Sequence, residues 1–284
     1  MRVGRFRILA GRFIMYVLLV MLAILMIYPL LWMISASFRP NVEIFTEIGL
    51  IPKNPIWTSY ADGWKGVPPV TYTTYFINTI MMVVPTVLFT IISSYFTAYG
   101  FARYNFKGKM LFFTLMIGCL LLPQEVLIVP KYLLYNKLGW LNTYKPFIIP
   151  AAFATYSFFI FLLFQFIRGI PRELDQSAKI DGANSFVICT RIILPLCKPA
   201  LFSVTIFQFV WRWNDFFNPL LYINSVKKYP LSLGLRASIE LGGEAIAWNQ
   251  TLAMAVVTMI PPTLVYIFAQ RYFIEGVTTS GIKG

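Results

Sequence analysis

Apolar residues run along this chain in long unbroken blocks, not in strand-like alternation. Residues 14–38, 66–102, 146–167 and 245–270 contain no Asp, Glu, Lys or Arg. A helix crosses a bilayer core with roughly 20 mostly apolar residues at about 1.5 Å rise each, so every one of these blocks is long enough. Polar positions cut two weaker blocks: Glu125 in one, Arg212 with Asp215 in the other. The pattern predicts six spans, at 13–37, 74–101, 109–130, 146–167, 199–222 and 248–270, and hence an all-α membrane protein with six transmembrane helices. Proline falls inside several of them, at Pro29, Pro85, Pro123, Pro219 and the pair Pro261-Pro262. Such residues kink bilayer helices without ending them when neighbours satisfy the freed carbonyl. Between the first two spans, Pro40, Pro52, Pro55, Pro68 and Pro69 predict an external loop with little regular structure.

Composition agrees. The chain of 284 residues is 58% hydrophobic and 12% charged, against about 25% charged in soluble domains. The formal charge of +13 invites a nucleic-acid reading, which the distribution rejects. Lys and Arg sit in short turns between apolar blocks, as the positive-inside rule expects. That rule places both termini in the cytoplasm, and with them the segment at 170–200. Arg2, Arg5, Arg7 and Arg12 precede a run too long for a signal-peptide core of about 7–15 residues, so the first span is expected to be retained.

Catalytic chemistry is poorly supplied. The sequence has no histidine, the commonest general base and metal ligand. It has no phosphate loop, nucleophile elbow or zincin motif. Cys119, Cys189 and Cys197 lack metal-ligand spacing, and paired carboxylates for a proton relay are nearly absent from the spans. The expectation is a non-catalytic chain that binds no metal and no cofactor. Uphill movement of a solute would then draw its energy from another subunit. An ion-coupled secondary transporter or channel working without an ATPase is the alternative; a membrane-embedded enzyme would need a catalytic set not found here.

The interruption at 170–200, IPRELDQSAKIDGANSFVICTRIILPLCKPA, is more ordered than a connector needs to be. Pro171 suits a first helical turn, and Glu173 and Asp175 favour the positive end of a helix dipole. Ile180, Ala183 and Val187 are spaced as an apolar stripe, while Gly182 permits a tight turn. A short amphipathic helix, a glycine-marked bend and a second short helix follow. On the residues alone, a handle for a partner and an interfacial helix on lipid headgroups fit equally well.

The run DQSAKIDGANSFVICTRIILPLCKPAL resembles the EAA loop of permease subunits of binding-protein-dependent ABC importers, closest to the carbohydrate group and its maltose-type second permease. LLPQEVLIVPKYLLYNKLGWLNTY at 121–144, WRWNDFFNPLLYI at 211–223 and QRYFIEGVTTSGIKG at 270–284 are similar to further segments of that family. The resemblance implies the type I ABC importer permease fold. It divides the chain into a cytoplasmic segment at 1–12, the first transmembrane helix and external loop at 13–72, a permease core at 73–270 with its EAA loop at 170–200, and a cytoplasmic tail at 271–284. By resemblance, Glu173, Asp175, Gln176, Ser177, Ala178, Asp181, Gly182 and Ala183 form the surface that docks on an ATPase. Gln176 stands where the family usually has glutamate, which removes a charge that Asp175 would have to replace.

The same likeness implies the partners: a homologous second permease, two cytoplasmic ATPase subunits carrying ATP and Mg, an extracytoplasmic solute-binding protein, a carbohydrate such as an oligosaccharide, membrane lipid, and no nucleic acid. The location implied is a bacterial or archaeal plasma membrane. Trp211, Arg212, Trp213, Asn214 and Asp215 are candidates for the translocation path, because aromatic faces and amides hold sugars and intramembrane charges mark solute routes. Arg212 and Asp215, at i and i+3, equally suit a structural ion pair. Gly276, Gly281 and Gly284 make an adaptable tail, expected either to reach the ATPase interface or to fray.

Overall fold

The computed structural model describes residues 2–240 and 246–278, with side chains described between residues 11 and 269. Among these residues the chain is helical and contains no β-strand. Helices α1 (Arg2–Ala36), α2 (Asn41–Ile44), α3 (Thr58–Trp64), α4 (Tyr72–Arg103) and α5 (Lys109–Leu121) come first. They are followed by α6 (Ile128–Lys137), α7 (Lys145–Ala152), α8 (Ser157–Arg168), α9 (Glu173–Ile180), α10 (Ser185–Val187) and α11 (Leu194–Leu196). The last four are α12 (Lys198–Trp213), α13 (Phe217–Tyr222), α14 (Leu231–Glu240) and α15 (Trp248–Thr278).

Four stretches are long and apolar enough to cross a membrane: Gly11–Ala36, Tyr72–Arg103, Lys145–Arg168 and Trp248–Ala269. Two helix pairs meet that test only together. Lys109–Leu121 with Gln124–Lys137 bends by 101°, and Ser185–Leu196 with Lys198–Trp213 bends by 75°. Six spans result when each bent pair is counted as one, so the expected third and fifth spans are broken elements, not straight rods. The cause is visible in the backbone. Leu122 is extended (φ −76°, ψ 124°), as a residue before proline is pushed to be, and Pro123 follows. The expected span at 199–222 ends early, at Trp213, and resumes as α13. By contrast, Pro29 in α1 and Pro85 in α4 leave their helices continuous.

The chain divides into two compact units. One comprises Met1–Tyr72 with Leu235–Met259. Its loop is more ordered than the prolines suggested, because a buried charge organises it. Arg39 is fully buried, donating to the Glu47 carbonyl at 2.9 Å, to the Gly49 carbonyl and to Ser35 Oγ at 3.2 Å. A guanidinium removed from water needs its donors met, and these acceptors wrap residues 47–49 around it. Asn41 then donates to the Ile246 carbonyl at 2.9 Å and accepts from the Asn249 amide at 3.1 Å, which ties α2 to the start of α15.

The other unit comprises Thr73–Gly234 with Ile260–Gly284. Its core joins Tyr95, Ala98 and Ala102 of α4 to Phe159, Leu163 and Ile167 of α8, and to Ile188, Ile193, Cys197 and Val204. On α8 the residues Phe159, Ile160, Leu163, Phe164 and Ile167 are all buried and share one helical face. Between bilayer helices, close packing and internal hydrogen bonds drive association more than water exclusion does. A buried polar seam fits that rule. Gln208 of α12 donates to Thr90 Oγ1 of α4 at 3.0 Å, and the Thr86 and Thr90 hydroxyls bond back to carbonyls one turn earlier.

Candidate functional site

The segment at 170–200 folds as a helix, a glycine turn and a second helix. Helix α9 begins after Arg172, with Glu173 and Asp175 in its first turn; Pro171 precedes the helix and lies outside its first turn. Gly182 has φ +83°, the left-handed region where a side chain is strained. No atom lies within 4 Å of where its Cβ would be, so that strain, not crowding, reserves the position for glycine. Asn184 caps α10, its side chain accepting from the Val187 amide at 2.9 Å. A π-helical turn, Ile188–Ile193, leads back towards the membrane helices. Such wide turns disturb the carbonyl ladder, and Tyr95 of α4 donates its hydroxyl to the Cys189 carbonyl at 2.6 Å.

One face of this loop is locked to the bundle. Ala178 is buried in the core described above. Asp175 Oδ2 lies 3.0 Å from Arg103 Nε at the end of α4, with the two side chains 15% and 5% exposed. The pair is held by charge: this N–H is not aimed as a hydrogen bond, and Arg103 instead donates through Nη2 to the Ile170 carbonyl at 3.0 Å. Arg172 donates to the Ala102 carbonyl at 3.2 Å. Asp175 is therefore engaged inside the chain by Arg103, while Gln176 beside it is exposed.

The opposite face is open. Glu173, Gln176, Ser177, Asp181 and Gly182 are exposed, and Ala183 is half-buried. Apolar side chains stand among them, Ile180 at 87% exposed and Phe186 at 67%. The apolar stripe expected at Ile180, Ala183 and Val187 is split for a simple reason: α9 ends at Ile180, so helical spacing does not carry through the Gly182 turn. Ala178 is the residue that points inward.

At the break after α12, Arg212 Nη1 lies 2.7 Å from Asp215 Oδ2, the side chains 17% and 9% exposed. Asp215 also accepts from the Asn218 backbone amide at 3.2 Å and from its side chain at 3.0 Å, capping α13. Arg212 sits 5.6 Å from the centre of the Tyr156 ring, within cation–π range. Trp213 is buried against Phe76 and Phe209. Trp211 packs on Phe158 and Phe159 with ring centres 5.3 Å apart, and Asn214 is exposed. The five residues thus do not converge on one surface: Arg212, Trp213 and Asp215 are engaged inside the chain, while Trp211 and Asn214 face outward.

Of the tail, Gly276 falls within α15, and Gly281 and Gly284 lie outside the described residues. Sequence reasoning missed Arg103, Tyr95 and Asn142. The last has φ 56° and pins α13 by accepting from the Asn224 and Ser225 amides at 3.3 and 3.1 Å. An asparagine after Leu141 in a turn was its only sequence signal. Among the described residues no group of His, Cys, Asp or Glu is placed to hold a metal ion.

The family of binding-protein-dependent transport system inner membrane components matches residues 67–279, and the chain belongs to it. It is thus an inner-membrane permease of a binding-protein-dependent ABC importer, a transport subunit without catalytic activity of its own. The arabinooligosaccharides transport system permease protein AraQ of Halalkalibacterium halodurans is 35% identical over 271 residues, covering 93% of each chain. The trehalose/maltose transport system permease protein MalG of Thermococcus litoralis is 29% identical over 265 residues, 93% of this chain and 94% of that one. The fold matches a crystal structure of a bacterial ABC transporter involved in the import of the acidic polysaccharide alginate, with a TM-score of 0.80 and 24% identity over 92% of this chain and 95% of that chain. Membership favours the importer over the secondary-transporter or channel alternative.

Proposed function

We propose that this chain forms, with a homologous second permease, the translocation path for a carbohydrate, taken from an extracytoplasmic solute-binding protein and driven by two cytoplasmic ATPase subunits that carry ATP and Mg. The carbohydrate assignment rests on relatives named for arabinooligosaccharides and for trehalose and maltose; an oligosaccharide is the substrate class it favours. Both termini and the loop at 170–200 lie on the cytoplasmic side in this reading, supported by the basic turns. In this reading the segment at 271–284, with Gly276, Gly281 and Gly284, contributes to the contact with the ATPase.

One observation carries the coupling role. The loop has α9 keyed to the bundle through Asp175–Arg103 and Ala178, while Ile180 at the end of α9 and Phe186 of α10 are left bare. A partner gripping these bare residues moves the spans because the keyed helix cannot slip. Glu173, Gln176, Ser177, Asp181 and Gly182 border that surface, and Ala183 lies half-buried at its edge. Trp211 and Asn214, both exposed, are the members of the 211–215 group left free to meet solute or the second permease.

Substitution at Gly182 tests the reading. Gly182→Ala introduces backbone strain alone, about 1–2 kcal/mol, and Gly182→Trp adds bulk at a position whose Cβ has no neighbour within 4 Å. In membrane vesicles holding the assembled transporter, Trp should abolish ATP-driven uptake with membrane insertion intact, and Ala should reduce it partially. Wild-type uptake by the Trp variant would overturn the proposal.

A further inference from the structure

At the end of the bundle that carries the loop at 170–200, a cleft of about 770 Å³ opens between the end of α4, the start of α5 and the end of α8. Its floor is aromatic: Phe113 lies 4.7 Å from Phe164 and 5.6 Å from Phe101, centre to centre. Its rim carries Lys109, Arg168 and Arg172, and no carboxylate lines it. Lys109 donates to the Tyr104 carbonyl at 2.8 Å and to Asn105 Oδ1 at 3.4 Å, and among the described residues it has no ion-pair partner. Arg172 bonds the Ala102 carbonyl, and among the described residues neither it nor Arg168 has an ion-pair partner. Two acids lie nearby in sequence: Asp175 is paired with Arg103, and Glu173 is exposed and outside the cleft lining. Three cations thus rim an apolar floor with no carboxylate among the lining residues.

The position decides what such a site takes. The three helices that meet here are apolar elements of the membrane bundle, and α5 beside the cleft buries no residue at all. Its Met110, Leu111 and Leu115 are all exposed, a surface suited to acyl chains. We infer that the cleft binds the phosphate headgroup of an anionic phospholipid, with Lys109, Arg168 and Arg172 on the phosphate and the acyl chains over α5 and the phenylalanine floor. Guanidinium and phosphate match in geometry as well as charge, and basic pockets between spans hold such headgroups. A lipid seated there touches Arg172, the residue from which α9 begins. The inference goes beyond transport and stands whichever solute is carried.

The test reads lipid, not uptake. The assembled transporter is placed in nanodiscs of phosphatidylcholine doped with phosphatidylglycerol, extracted, and weighed by native mass spectrometry. Retained phosphatidylglycerol should fall roughly thirtyfold in the Lys109→Gln/Arg168→Gln double variant, two cations at about 1 kcal/mol each. The charge-conserving pair Lys109→Arg/Arg168→Lys should keep the lipid, which separates lost charge from lost folding. Equal retention in the Gln and charge-conserving variants would overturn the inference. Displacement of the lipid by inorganic phosphate alone would do the same, because it would mean that the acyl chains contribute nothing. A photoreactive residue at Met110 should label lipid; labelling only of an ATPase subunit or the second permease would show another occupant and refute it.

Discussion

Two arginine–aspartate pairs sit at the two places where charge interrupts this bundle, and they do opposite jobs. Arg212 and Asp215 are three residues apart and span a gap in one element. Arg103 and Asp175 are drawn from separate elements and join the end of α4 to the start of α9. Both are shielded from solvent to a similar degree. The difference is what each would release if broken: the first would loosen a local turn, the second would free a whole segment from the helix it moves with. Shielding alone does not reveal which ion pair joins separate elements; the separation of its partners does.

The sharpest way to break the comparison is Asp175→Ala. Arg103 would keep only the Ile170 carbonyl in a nearly sealed site, and an uncompensated buried charge costs on the order of 3 kcal/mol. Thermal unfolding of the detergent-solubilised transporter should register that loss, and ATP-driven uptake should fall with it. The double variant Arg103→Leu/Asp175→Leu should regain most of the stability, since removing both charges removes the penalty. If it remains as unstable as the single variant, the pair is not the source of the cost.

Arg212→Ala should cost less, about 1–2 kcal/mol, because Asp215 retains both Asn218 contacts. Asp215→Asn preserves the cap on α13 and should cost about 1 kcal/mol. A loss at Arg212 as large as at Asp175, measured in the same unfolding assay, would erase the distinction between local and long-range pairs.

Gln176→Glu is the smallest change. The side chain is exposed, so stability should move by no more than about 0.5 kcal/mol. With Asp175 engaged by Arg103, any gain in ATPase stimulation by the variant reports the partner's charge preference at that position. Loss of folding would mean that 176 faces inward, against the geometry described.

Much of this could be read from the chain itself. Charge-free blocks located the four stretches long and apolar enough to cross on their own, and Glu125, Arg212 and Asp215 marked the two sharply bent ones. Glycine at 182 between short amphipathic runs announced the turn. The keyed face of α9 was not legible, because Arg103 and Asp175 are brought together only by the packing of α4 against the returning loop. Arg39 was hidden for a related reason: two of its three acceptors are backbone carbonyls, of residues 47 and 49, which any sequence could supply. The stripe at Ile180, Ala183 and Val187 failed because periodicity assumes one unbroken helix, and Gly182 ends it.

The end of α12 has a consequence in the energetics of low-dielectric media. With 16 residues the helix is about 24 Å long, short of a hydrocarbon core about 30 Å thick. Its final carbonyls and the first amides of α13 carry partial charges of opposite sign. Arg212 lies at the negative end of the first helix and Asp215 at the positive end of the second. Each side chain offsets a helix terminus as well as its partner, so the break forms a closed quadrupole with little outward field. The chain thus stops and restarts there with its terminal partial charges offset by side chains of its own.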